Sequence, residues 1–301
     1  MTRSHCKHKT VFMRIAFAEA MCDPAQYVPL AQAAEGAGFD AFVIPDSIAY
    51  PEQSDSKYPY TPDGNREFLD GAPFIDPFVL AATLAAATKT IRFHTFVVKL
   101  PVRHPVLVAK QAMSVAVMSG NRFSLGVGLS PWPEDYEICD VPWKGRGKRM
   151  NEMMEMIRGL STGQFYGHDG ETFQLQSIKM TPAPTEPIPL LVGGHSDAAL
   201  RRAVTLGDGW MHAGGDQQEL ERMIEKLHTL RRELGTSDRP FEIHAASYLA
   251  LTPDGLRQLE DFGVTDAVIG FRPPYQKDET PFETKLQSIE MYADTVLSKF
   301  R

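Results

Sequence analysis

The chain has 301 residues, 43% hydrophobic, 23% charged and 10% aromatic, with 31 Lys and Arg against 38 Asp and Glu for a formal charge of −7. This ordinary globular balance excludes a disordered chain, a collagen-like chain and a disulfide-stapled miniprotein. Its mild acidity argues against nucleic acid or an anionic membrane surface as the main partner.

Short apolar runs alternate with helical patterns along the whole length. Strands are predicted at 13–17 (MRIAF), 39–44 (FDAFVI), 91–98 (IRFHTFVV) and 122–128 (RFSLGVG). Four more follow at 188–192 (IPLLV), 209–211 (GWM), 241–251 (FEIHAASYLAL) and 264–269 (VTDAVI). Helices are predicted at 24–35, 76–88, 104–118, 144–160, 196–206, 216–234, 253–262 and 282–300. Asp76 before Pro77, and Ser196 ahead of DAALRRAVTL, are N-cap signals; Gly36, Gly207, Gly235 and Gly263 are stop signals. Apolar strands alternating with helices indicate a parallel sheet covered by helices. Eight such units in about 300 residues indicate an α/β fold of the (β/α)8 TIM-barrel type, a single domain over 1–301. An open doubly wound sheet is the alternative.

Two connections exceed the usual length. One, 45–75, follows strand two and is rich in Pro, Tyr, Asp and Gly; the other, 161–187, precedes strand five and contains FYGHDGETFQL. The second reads as a β-hairpin with His168-Asp169-Gly170 as its turn. Both are expected near the carboxyl ends of the strands, lining a pocket.

Cys6, Cys22 and Cys139 are widely spaced, with no C-x-x-C pair, so no redox couple is suggested. The reduced cytoplasm is the expected compartment. No stretch approaches the roughly 18 apolar residues of a membrane span. The basic start lacks a signal-peptide apolar run. His5-Cys6-Lys7-His8 is read as part of a frayed terminus. The nine histidines show no metal-ligand spacing, so no catalytic metal is expected; His94 and His244 read as hydrogen-bonded core imidazoles.

Gly126-Val127-Gly128 follows a strand but lacks the third glycine of a dinucleotide fingerprint, and Pro131 and Pro133 block an immediate helix. These glycines allow either close approach of a flat ring or a tight turn. Gly193-Gly194-His195-Ser196-Asp197 joins strand five to a capped helix, which suits a phosphate, although Asp197 must then point away. An ordinary βα turn is the other reading. Asp46-Ser47, at the end of strand two, can accept from a ligand, act as acid or base, or cap the loop. His212, just past strand six, is the histidine best placed for chemistry.

Three stretches carry a family resemblance. TFVVKLPVRHPVLVAKQ (95–111) resembles TGVLVLPLRHPVLLAKQ of the bacterial-luciferase-like superfamily. RFSLGVGLSPWPEDYEICDVPWKGRGKRMNEMMEMIRGL (122–160) and PIPLLVGGHSDAALRRAVTLGDGW (187–210) resemble that superfamily's GVG and PIWVGG segments. Together they span about a quarter of the chain, while PDS…YPY…DG (45–64) resembles actinobacterial coenzyme F420-dependent oxidoreductases.

The resemblance implies a barrel, usually a homodimer, binding a flavin or deazaflavin at its strand ends. Asp46, Phe96, Val97, Gly126 and Gly128 would surround the ring, and Gly193, Gly194, His195 and Ser196 would hold the phosphate. It also implies a cis peptide at Phe96–Val97. The superfamily's sugar-phosphate dehydrogenases carry a histidine and a glutamate where this chain has Ser47 and Leu129, so their acid/base pair and their substrate are not expected. Asp46, Ser47 and His212 are the catalytic candidates, with His104 and Tyr166 behind them. The expected function is hydride transfer between coenzyme F420 and a small organic substrate. FMN-dependent monooxygenation and non-catalytic cofactor binding are the alternatives. Arg103, Arg272 and Lys277 are candidate cations for an acidic cofactor tail. Trp132, Trp143, Phe165, Tyr166 and Phe173 are candidate substrate-side residues.

Overall fold

The computed structural model describes residues 13–58, 61 and 63–301; the His5–His8 motif with Cys6, and Pro59 and Tyr60 of the YPY motif, lie outside these. Among the described residues eight parallel strands close on themselves. They are β1 (Arg14–Ala18), β2 (Ala41–Ile44), β3 (Arg92–Thr95), β4 (Phe123–Gly128), β5 (Leu190–Gly193), β6 (Gly209–His212), β7 (Glu242–Ala246) and β8 (Asp266–Ile269). The intervening helices are α1 (Tyr27–Gly36), α2 (Pro77–Ala87), α3 (Pro105–Met118), α4 (Arg146–Leu160), α5 (Asp197–Leu206), α6 (Gln217–Glu233), α7 (Pro253–Asp261) and α8 (Phe282–Tyr292). β8 pairs with β1 at Arg14↔Asp266, and β3 pairs with β4 at Phe93↔Phe123. The sheet is therefore a (β/α)8 barrel, and the open alternative is excluded.

Side chains alternate between the barrel axis and the helix layer. Ile15, Phe17, Phe42, Ile44, Phe93, Phe123 and Trp210 join the core between sheet and helices. Ala16, Ala41, Val43 and Val268 form a small apolar cluster on the axis, with Phe96 and Ala246 packed against it. Nearer the amino ends the interior turns polar. Asp266 accepts from Arg14 Nε and Nη2, both at 2.6 Å, and His244 Nε2 lies 2.8 Å from Glu242 Oε2. His94 departs from the expected hydrogen-bonded core imidazole. It is fully buried, burial pushes its pKa down to about 3, and neither ring nitrogen has a hydrogen-bond partner.

The caps act as predicted. Asp76 Oδ1 accepts from the Phe78 and Val79 amides at 2.9 and 3.2 Å, and Ser196 Oγ accepts from Ala199 at 3.3 Å. Some boundaries differ. The third strand stops at Thr95, crosses a cis Phe96–Val97 bond and resumes as Val98–Lys99 beside β4. The seventh ends at Ala246, because Ser247 Oγ caps a tight turn over Tyr248–Leu251. Pro133 does not block a helix: it occupies the first position of a short one, Pro133–Ile138, where its missing N–H costs nothing.

The second insertion also needs correction. Its hairpin, Tyr166–Asp169 with Gln174–Ile178, turns at 170–173, where the Gly170 amide donates to Phe173 O at 2.9 Å. His168 and Asp169 sit in the first strand of the pair. The segment leaves the end of α4, at the amino face of the barrel, and climbs the outside of that helix. Glu152 accepts from the Thr172 and Phe173 amides, and Arg149 covers the Phe173 ring at 4.5 Å. Its aromatic residues therefore dress the helix layer instead of lining the mouth.

Candidate functional site

The carboxyl ends of β3, β4 and β5 meet at Val97. Its Cγ2 lies 2.7 Å from where a Cβ on Gly128 would stand, and its Cγ1 2.9 Å from that of Gly193. These two glycines make the seat for the Val97 side chain. Gly126 has another reason to lack a side chain: a Cβ there would run into the Thr95 carbonyl and crowd Met211 Sδ at 2.5 Å. The backbone requirement at Gly126 is thus packing within the barrel. Phe96, next to Val97, belongs to the axial apolar cluster.

Asp46 follows β2, and its side chain is 1% exposed. Its carboxylate accepts from Arg103 Nη2 at 2.9 and 3.0 Å and from the Lys99 amide at 2.9 Å. Arg103 also reaches Asp76 at 3.4 Å. Asp46 is thereby a strut between the β2 and β3 ends, its carboxylate accepting three hydrogen bonds. The Lys99 ammonium is buried against Asp135 at 2.7 Å, and the Ser130 hydroxyl donates to the same carboxylate. Sequence reasoning missed this Lys99–Asp135–Ser130 group; a lysine closing the apolar run TFVV was its only signal. Ser47 lines a small cleft with Tyr50, Arg66, Trp132 and Asp135.

At the β5 end, Gly194 has φ +120, and Ser196 caps α5. The first N–H groups of a helix lack intrahelical acceptors and attract anions. Asp197 does turn away, pairing with Lys226 on α6. His195 stacks on His212 with ring centroids 4.6 Å apart and planes 8° apart. His195 Nδ1 lies 3.9 Å from Glu219 Oε1, and its Nε2 accepts from the Ala213 amide at 3.4 Å. Burial lowers the His195 pKa, and burial with the neighbouring His195 takes His212 down to about 4. His212 proves to be the last residue of β6, on the face it shares with Trp210, toward the helix layer. The structure thus joins His212 to His195 and separates it from Asp46 and Ser47.

Two of the candidate cations, Arg103 and Arg272, are engaged. Arg103 serves Asp46 and Asp76. Arg272 binds Glu19 at 2.9 Å and the Ala20 carbonyl, tying the β8 loop to the β1 loop. Lys277 borders a surface pocket with three carboxylates, Glu52, Glu67 and Asp70. Among the aromatic candidates, Trp132 lies at the mouth, stacked on Tyr58 at 5.4 Å with Arg66 4.4 Å above its ring. Trp143 packs on Tyr136, Tyr166 on α4 at Gly159, and Phe165 is 74% exposed. His104 is exposed and edges onto Phe173.

Residues 12–293 match the luciferase-like monooxygenase family. An uncharacterized protein of Mycobacterium tuberculosis is 57% identical over 289 residues, covering 95% of this chain and all of that one. An F420-dependent glucose-6-phosphate dehydrogenase of Gordonia bronchialis is 28% identical over 252 residues, covering 79% of this chain and 68% of that one. The solved structure of monooxygenase RslO1 from Streptomyces bottropensis superposes with a TM-score of 0.75 at 15% identity, over 96% of this chain and 100% of that one. Among the described residues no helix is long and apolar enough to cross a membrane.

Proposed function

From the premise that the chain belongs to the luciferase-like monooxygenase family, an oxidoreductase family with F420-dependent and monooxygenase relatives, we propose that it transfers a hydride between coenzyme F420 and a small organic substrate. The observation that carries this reading is the amino end of α5. There Gly193, Gly194 and capped Ser196 open onto the barrel mouth beside His195, while Asp197 is drawn off by Lys226. That donor set fits a phosphate-bearing group, since backbone amides at a helix start supply positive potential and the adjacent Asp197 carboxylate is paired with Lys226, leaving Glu219, 3.9 Å from His195, as the acidic neighbour.

Phe96, Val97 and Gly128 would form the surface against which the ring lies, and His195 with Ser196 would hold the phosphate. Bound there, coenzyme F420 supplies hydride chemistry that no side chain can provide. The chain's own tasks are positional. Asp46 fixes the β2 and β3 ends by holding Arg103 and the Lys99 amide. Trp132 and Tyr58 cover the approach and exclude water. The Ser47 hydroxyl, in the cleft beside Arg66 and Asp135, would donate a hydrogen bond to the substrate and relay to it a proton taken up from solvent. Arg272 supports the mouth through Glu19.

The second reading is FMN-dependent monooxygenation, favoured by the match to the luciferase-like monooxygenase family over residues 12–293. Separate titrations with F420 and FMN, followed by reoxidation of reduced cofactor with carbonyl, enone and nitro compounds, decide between them. F420 binding with turnover of at least one compound is expected. Tight FMN binding without F420 affinity would give the second reading, and F420 binding without any turnover a non-catalytic binding protein. A homodimer belongs to the same proposal, and light scattering of the eluting protein checks it.

A further inference from the structure

The geometry points to a divalent transition-metal site, of the zinc class, in the amino-terminal interior of the barrel, held by His94, His244 and Asp266. It lies in the polar layer beneath the apolar axial cluster and shares no residue with the proposed cofactor site. All three side chains are fully buried, and one ligand atom from each lies within 4.8 Å of the others.

Two observations converge on a cation. First, both ring nitrogens of His94 are buried without a hydrogen-bond partner; an imidazole taken out of water with nothing to bond is costly. Second, His244 is only half satisfied: its Nε2 lies 2.8 Å from Glu242 Oε2 and 3.4 Å from Asp266 Oδ2, while its Nδ1 is buried and unpartnered.

Zinc holds nitrogen and oxygen ligands at about 2.0–2.2 Å, which puts tetrahedral ligands roughly 3.4 Å apart. The present group, with ligand atoms up to 4.8 Å apart, needs to close by up to about 1.4 Å, within the reach of side-chain torsions. Arg14 and Glu242, whose side chains are 24% and 23% exposed, stand between the group and solvent at the amino face and mark the entry path. The role is structural: the metal would tie β3, β7 and β8 together across the axis.

The full chain, stripped with chelator, is titrated with Zn2+ by calorimetry and with Co2+ by visible absorption. One equivalent is expected, with a higher Tm on loading, and His94→Gln and His244→Gln each weakening binding at least tenfold with unchanged circular dichroism. No binding by the wild type, or binding that neither substitution alters, overturns the proposal. X-ray absorption on the zinc-loaded wild type tests it even if the variants do not fold. A nitrogen and oxygen shell with two imidazoles is expected, and a sulfur ligand, as Cys6 would supply, overturns it.

Discussion

Val97 occupies the space that a side chain on Gly128 would need, its Cγ2 methyl 2.7 Å from the Cβ position. The β3 and β4 ends are therefore fitted to each other, and an added methyl must displace Val97 or the β4 backbone. Gly128→Ala is expected to lose about 1–3 kcal/mol of stability, the usual cost of overpacking. It should also lower cofactor affinity more than tenfold, because Val97 is part of the proposed ring surface. Urea unfolding and fluorescence titration measure the two effects. Unchanged affinity in a folded variant would remove Val97 from that surface.

Gly126→Ala should behave differently. Its Cβ would meet the Thr95 carbonyl, a backbone atom that cannot rotate away, as well as Met211 Sδ. The expected loss is about 3 kcal/mol or more, at the upper end for overpacked sites. A variant as stable as wild type in thermal unfolding would show that β3 and β4 can slide apart.

Asp46 and Arg103 give the third prediction. The carboxylate is buried, whereas the guanidinium side chain is 19% exposed, so removing one partner is worse than removing both. Arg103→Ala should cost about 3 kcal/mol by stranding Asp46, and Asp46→Asn clearly less, because the amide can still accept from the Lys99 N–H. In the double variant the penalties should not add. Additive losses in a double-mutant cycle would mean that the two side chains act independently.

The barrel was legible because each strand is a short apolar run and each helix carries a cap or a stop, both local signals. Gly193, Gly194 and Ser196 were legible for the same reason, since a glycine pair before a capped helix is written in five consecutive residues. Residues whose meaning depends on distant partners were not. Arg272 finds Glu19 some 250 positions away, and Asp46 finds Arg103 across two strands. His212 needed strand parity: one more residue in β6 than the predicted 209–211 puts it on the Trp210 face. The hairpin was recognised by pattern, but its location depends on following a helix instead of a strand.

Glu35 supplies a pH prediction away from the site. Its Oε1 accepts from the Lys89, Thr90 and Ile91 amides at 2.8, 2.6 and 3.0 Å and from the Thr90 hydroxyl at 3.0 Å. Although burial opposes it, this nest lowers the carboxyl pKa to about 2. The folded value is below the unfolded one, near 4.3. The stabilisation is thus complete above pH 4.3 and is lost as pH falls toward 2. Glu35→Gln should cost about 1 kcal/mol at neutral pH, a modest figure because the group is partly solvated. The gap from wild type should shrink as denaturation midpoints are followed from pH 5 to pH 2.5. A constant gap would assign the effect to shape instead of charge.

His195 tests the anion site by its proton. Burial lowers its pKa, and the stacked His212, itself near 4, adds no charge at neutral pH. Glu219 at 3.9 Å is the acidic neighbour that opposes this lowering. A phosphate placed at the α5 amino end raises the His195 pKa again, because the imidazolium gains a counter-charge. Binding must therefore take up protons, and affinity must rise as pH falls from 8 to 6. Titration calorimetry with F420 in two buffers of different ionisation enthalpy reads the proton uptake directly. His195→Gln should bind more weakly at pH 6 and lose most of the pH dependence, with little change at pH 8. A wild-type affinity that is flat with pH and involves no proton uptake would move the phosphate away from His195.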